Sequence, residues 1–137
     1  MIVSTKGRYA LRVMVDIAQH IDDGYIPLNS IAKRQNISEK YLEAILKTLV
    51  HNNLVTGVRG KNGGYKLTRD PSEISAWDVI SVTELELSVV SCLSAGAGVC
   101  QMADHCTTLP MWKDFNAVLK EFFQKYSIED LATGKRK

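Results

Sequence analysis

Residues 54–67, Leu-Val-Thr-Gly-Val-Arg-Gly-Lys-Asn-Gly-Gly-Tyr-Lys-Leu, limit what this chain can fold into more than any other stretch. They read as two short strands joined by a glycine-rich, basic tip. Val58, Tyr65 and Leu67 alternate with polar residues, as half-buried strands do. Gly60, Gly63 and Gly64 permit the positive φ that a tight tip needs. Arg59 and Lys61 stand on that tip, where no core can use them.

What precedes the hairpin gives it meaning. Thr5 can cap a helix from about Lys6 to Asp22, with Ala10, Val13, Met14, Ile17 and Ile21 on one face. Pro27 leads into a short helix, Leu28 to about Gln35, with Ile31 and Ala32 inward, and Gln35-Asn36-Ile37 makes a tight turn. Ser38 caps the next helix, Glu39 to His51. There Leu42, Ile45, Leu46 and Leu49 form an apolar stripe nearly opposite Glu39, Lys40, Glu43 and Lys47. Two short helices around a tight turn, followed by a basic hairpin, describe a winged helix-turn-helix. Its polar face suits the DNA major groove, with Ser38, Glu39, Lys40, Tyr41, Glu43 and Lys47 as candidates. At the wing tip Arg59 suits the minor groove and Lys61 a phosphate, with Gly60 between them.

Charge supports this reading. From Lys33 to Arg69 eight Lys/Arg face two Glu, a net of +6, whereas from Asp70 to Asp130 ten acids face three lysines, a net of −7. One segment is built to meet phosphate and the next is not. The 137 residues suffice for one domain with a real core plus an extended element. No run of about eighteen apolar residues suggests a membrane span. The N-terminus lacks the apolar stretch of a secretory signal, so a cytoplasmic chain is expected.

After the wing, Asp70-Pro71 closes the second strand, and Ser75 with Asp78 resembles a capping box that starts a helix from Ala76 to about Thr83. Trp77, Val79 and Ile80 of that helix would help to cover the core. After Pro110 an amphipathic helix runs to about Tyr126, with Trp112, Phe115, Leu119, Phe122 and Tyr126 at helical spacing. Its aromatic surface suits packing against a twin chain, and twofold symmetry suits palindromic DNA; the alternative is that the helix folds back on its own domain. The expected class is therefore mainly α with a small β-hairpin wing. A DNA-binding domain spans 1–83, a cysteine-bearing sensor region 84–108, a dimerisation helix 109–130 and a basic tail 131–137, with Lys135, Arg136 and Lys137 expected to be disordered.

The three cysteines, Cys92, Cys100 and Cys106, are confined to that sensor region. An odd number in a cytoplasmic chain is not a disulfide framework, and Cys-x7-Cys-x5-Cys does not match common structural zinc pairs. Three thiolates on a glycine-bearing loop suit an iron–sulfur cluster. A fourth ligand could come from His105, Asp104, a partner chain or an exogenous group. Other readings are reduced packing thiols or metal-free redox switches.

These residues resemble the Rrf-two (IscR-like) family of bacterial winged-helix regulators. The likeness covers essentially the whole chain: Ser4-Thr5-Lys6-Gly7-Arg8-Tyr9-Ala10, Ile37-Ser38-Glu39-Lys40-Tyr41-Leu42-Glu43, Val58-Arg59-Gly60-Lys61-Asn62-Gly63-Gly64-Tyr65, and the three-cysteine loop followed by Trp112. The resemblance implies a homodimer on a palindrome-like operator, with the helix after Ser38 in the major groove and Arg59 in the minor groove. It implies a 2Fe–2S or 4Fe–4S cluster on the three cysteines, whose state switches which operators are bound. It also implies a role for Glu43 in telling DNA sites apart with cluster state. Two positions depart from the family. Leu109 stands where the IscR branch has a histidine ligand, and Arg8 stands where the nitric-oxide-sensing branch has an aspartate.

The expected function is a DNA-binding transcriptional regulator, a repressor or dual regulator, that senses iron–sulfur, iron, redox or nitric oxide status. The alternative is a family regulator without a cluster, controlled by thiol oxidation or by a partner enzyme of cysteine metabolism. A small redox enzyme lacks support, because there is no Cys-x-x-Cys pair, no phosphate-cradling loop and no nucleophile with a base. No small-molecule substrate is expected.

Overall fold

A computed structural model describes residues 2–137. The order is α1 (Thr5–Gln19), α2 (Leu28–Gln35), α3 (Glu39–His51), β1 (Val55–Val58), β2 (Gly64–Leu67), α4 (Ala76–Thr83), α5 (Leu109–Lys125) and α6 (Ile128–Thr133). Helix α1 is the centre, touching α2, α3, α4, α6 and β2. Its Ala10, Val13 and Met14 are fully buried, as are Leu42, Ile45, Leu46 and Leu49 of α3. The helical spacing read in both segments is thus the core stripe.

Helix α1 departs from expectation at both ends. Its N-cap is Ser4, whose hydroxyl accepts from the Gly7 amide at 3.1 Å, so Thr5 is already helical. It stops at Gln19, and a 3-10 turn follows over Ile21–Asp23. Ile21 is therefore not on the core stripe but 48% exposed. Helix α2 ends on Asn36 in the left-handed region, and Ser38 caps α3 through the Tyr41 amide at 3.2 Å.

The hairpin is antiparallel, with Val55 opposite Leu67 and Val58 opposite Gly64. Ile26 adds a bridge to Tyr65 on the outer side of β2. The capping box that opens α4 is complete: the Ser75 amide donates to Asp78 at 2.8 Å and the Asp78 amide to Ser75 at 3.1 Å.

The C-terminal end differs from a single helix reaching residue 130. Helix α5 ends at Lys125, Tyr126 is extended, and Ser127 and Asp130 form a second capping box that opens α6. Ile128 is fully buried. The Ala76 amide donates to the Tyr126 carbonyl and the Ile128 amide to the Ile74 carbonyl, both at 2.8 Å, so the end of α5 is sewn to the start of α4. The terminal residues are tied down as well. The Lys135 amide donates to the Asp130 carbonyl, and the Lys137 ammonium lies 3.3 Å from the Asp130 carboxylate. Among the described residues no helix is long and apolar enough to cross a membrane.

Candidate nucleic-acid interface and cysteine segment

Helix α3 and the wing present one continuous surface. Glu43, Lys47 and Val50 of α3 line a shallow groove with Gly57, Val58, Arg59 and Tyr65 of the hairpin. Ser38, Glu39, Lys40, Glu43, Lys47, Arg59, Gly60 and Lys61 are all exposed. Among the described residues, no carboxylate lies within ion-pair distance of Lys40, Lys47, Arg59 or Lys61. These cations are free to meet phosphate or base edges.

The tip is built by its glycines. Gly60 has φ +94°, and its carbonyl accepts from the Gly63 amide at 3.0 Å. A Cβ on Gly63 would stand 2.2 Å from the Val58 carbonyl oxygen, so only glycine closes this turn.

Tyr41 is placed differently from the other candidates. It is half-buried, edge-on to Tyr9 with centroids 5.9 Å apart, and the Arg12 guanidinium lies 5.0 Å above Tyr9. Its ring braces α3 against α1 instead of standing free.

Sequence reasoning missed the anchor beneath this surface. Asp16 is 1% exposed on the inner face of α1. Its carboxylate accepts from Arg34 at 2.7 and 3.0 Å and from Gln35 at 2.8 Å, which pins α2 to α1. Burial pushes the Asp16 carboxyl up, but hydrogen bonds from Arg34 and Gln35 and the Arg34 charge outweigh it and hold it below its ordinary value. An aspartate between Val13 and Ile17 on an apolar stripe was the available signal.

The segment between α4 and α5 is irregular apart from a 3-10 turn over Ser91–Leu93. Cys92 and Cys100 are exposed, Cys106 is half-buried, and all three are free thiols. Among the described residues no three His, Cys, Asp or Glu are gathered to hold a metal ion. The donor chemistry suits an iron–sulfur cluster, which takes thiolates. Gly96 and Gly98 have positive φ and open space around them. To hold a cluster together the three thiols would have to be gathered from the positions they occupy here. The Thr108 hydroxyl, 3.4 Å from the Cys106 sulfur, and the Thr108 and Leu109 amides hold that thiol below its ordinary pKa.

No residue of α5 is fully buried. Trp112, Asn116, Leu119 and Phe123 lie half-buried; Trp77 of α4 stacks on Phe123, and the Val89 amide donates to Asn116 Oδ1 at 2.8 Å. Met111, Phe115, Val118 and Phe122 form a second stripe, each about half exposed or more.

Comparison with known proteins agrees with this architecture. Residues 3–134 match the Rrf2 family model, described as an iron-dependent transcriptional regulator. The chain is 38% identical over 134 residues to the HTH-type transcriptional regulator IscR of Photorhabdus laumondii, covering 98% of this chain and 80% of the relative. Among solved structures it is similar to CymR, the global cysteine regulator of B. subtilis, with a TM-score of 0.80, 34% identity and 99% of each chain covered. It is also similar to T. potens IscR, with a TM-score of 0.77 and 32% identity over 99% of this chain and 89% of that one.

Proposed function

This chain belongs to the Rrf2 family of transcriptional regulators, and we propose that it binds a palindrome-like operator as a cytoplasmic homodimer, under control of an iron–sulfur cluster on Cys92, Cys100 and Cys106. Its relatives are regulators and not enzymes, which sets aside the small redox enzyme. The observation that carries DNA binding is the shared groove: Glu43 and Lys47 of α3 open onto the same surface as Arg59 of the wing. A helix that enters the major groove and a tip that reaches the adjacent minor groove must face one way, and these do. Ser38, Glu39 and Lys40 at the helix start are the nearest to base edges. Lys61 and Lys47 supply phosphate contacts, Gly60 lets the tip approach closely, and Tyr41 acts by bracing the helix.

The homodimer is supported by the stripe of Met111, Phe115, Val118 and Phe122, which the described residues leave about half exposed. The reading divides the chain into a DNA-binding part up to residue 83, a sensing segment 84–108 and a dimerisation helix. The cluster is supported by the donor set and by the family's description as iron-dependent. When bound, a 2Fe–2S or 4Fe–4S group would supply a redox-sensitive link among three thiolates otherwise held apart. The chain's own part is to present those thiols on a segment bounded by α4 and α5.

A second reading is favoured by the likeness to CymR. It keeps the DNA binding and replaces the cluster by thiol oxidation or a protein partner. One experiment separates the two. Duplexes are selected from a random library by the full chain, and binding is compared with a variant carrying alanine at all three cysteines, with and without iron. Iron-dependent target choice that the variant loses supports the cluster. Identical choice by both proteins rejects it.

A further inference from the structure

We propose that Glu84 is a positioning residue for the DNA-binding surface, tying the cysteine-bearing segment to α1 and, through α1, to α3. The proposal rests on the DNA-binding reading above for its functional consequence only. Glu84 is the C-terminal cap of α4 and the first residue of the segment that carries the cysteines. Its Oε1 accepts from the Ser4 amide at 3.0 Å and from the Ser4 hydroxyl at 2.8 Å. The same hydroxyl caps α1 by accepting from the Gly7 amide.

Two features show that this contact is built into the fold. Helix α1 has no acidic residue in its own first turn. Glu84 therefore supplies from far along the chain the negative charge that a helix N-terminus favours. Gly7 makes room for it, since a Cβ there would stand 2.1 Å from Glu84 Oε1. Any side chain at residue 7 displaces the carboxylate.

The link continues to the recognition helix. Lys6, in the same first turn, donates from its ammonium to the Thr48 hydroxyl of α3 at 3.1 Å, and this bond is partly buried. The first turn of α1 is thus held by the sensor segment on one side and holds α3 on the other. A shift of residue 84 loosens the turn that fixes α3.

The sign of the effect makes the proposal testable. Removing an acid from a chain that binds DNA would, by long-range electrostatics alone, tighten binding. If Glu84 positions α3, Glu84→Ala weakens it instead. The test uses the full chain and a duplex that the parent selects from a random library. Affinity is read by fluorescence anisotropy across a salt series, and backbone hydrogen exchange is read on the same proteins without DNA.

We expect Glu84→Ala and Gly7→Ala each to lower affinity by about threefold to tenfold, with the salt slope unchanged. Their effects should not add, because both remove one contact. Glu84→Gln, which keeps the acceptor oxygen, should retain most of the affinity. Exchange should rise at the first turn of α1 and within α3. Unchanged or tighter binding by Glu84→Ala, or additive losses, would overturn the proposal. If the parent selects no duplex, the DNA reading fails by itself, and the exchange of α3 decides the link: faster in Glu84→Ala upholds it, unchanged overturns it.

Discussion

Ile26 and Tyr65 exchange both of their backbone hydrogen bonds, each 2.8 Å long, so a single bridge ties the residue before Pro27 to the free edge of β2. Gly64 has φ +147°, and a Cβ there would lie 2.3 Å from the Ile26 carbonyl oxygen. Gly64→Ala should therefore break the bridge and cost about 2–4 kcal/mol. Urea melts should show a lower midpoint, and duplex affinity should fall because the wing loses its anchor. An unchanged midpoint would mean that the bridge carries no stability.

Arg59 and Lys61 are exposed, and among the described residues neither is in an ion pair. Alanine at either should leave the melting temperature within about 1–2 °C of the parent, as expected of surface positions. Arg59→Ala should weaken duplex binding about tenfold or more. Lys61→Ala should weaken it evenly across sequences and lower the salt slope by about one. Equal losses of sequence preference in both would put Lys61 at a base edge.

Much of this surface was legible in the sequence, because it depends on short-range patterns. The stripe of Leu42, Ile45, Leu46 and Leu49, the cap at Ser38 and the positive φ of Gly60 and Gly64 follow from local spacing, whereas Gly63 has no positive φ, Asn62 takes one instead at +66°, and Gly63 is needed for lack of room. What was missed lies beyond that reach. Helix α6 is six residues long, too short for a periodic pattern, so the segment after Tyr126 read only as the end of a dimerisation region and a tail; the Ser127 and Asp130 pair was its one local sign. The contact of Glu84 with Ser4 joins residues 80 apart and leaves no periodic trace. Asp16 drew no notice within α1, because its partner Arg34 reaches it from another helix.

Asp16 gives the fold an acid-sensitive joint. Its folded pKa is depressed, so its stabilisation is present above the unfolded carboxyl value, near 4, and is lost as pH falls through the lower folded value. Stability measured by urea melts should decline below about pH 4. Asp16→Asn should flatten that decline and cost about 1–3 kcal/mol at neutral pH, since Arg34 loses its charged acceptor. A parallel pH profile in variant and parent would place the acid sensitivity elsewhere.

The uncovered stripe of α5 predicts self-association. Phe115→Glu and Phe122→Glu each place a charge on a face whose members are 47% and 50% exposed in the single chain. Sedimentation should show a dimer for the parent and monomers for the variants, with the thermal midpoint of the isolated fold retained. Duplex affinity should drop with loss of the second half-site. A monomeric parent would require another cover for this face.

Control of DNA binding by the three cysteines is read from duplex affinity on one anaerobic sample before and after iron is stripped by a chelator. Iron, sulfide and visible absorption are assayed on the same sample. Coloured protein is expected, with affinity or target choice changing by about tenfold or more as colour is lost, and a triple cysteine variant that does not respond. Colourless, iron-free protein that resists reconstitution and binds the same duplexes equally well throughout would contradict it.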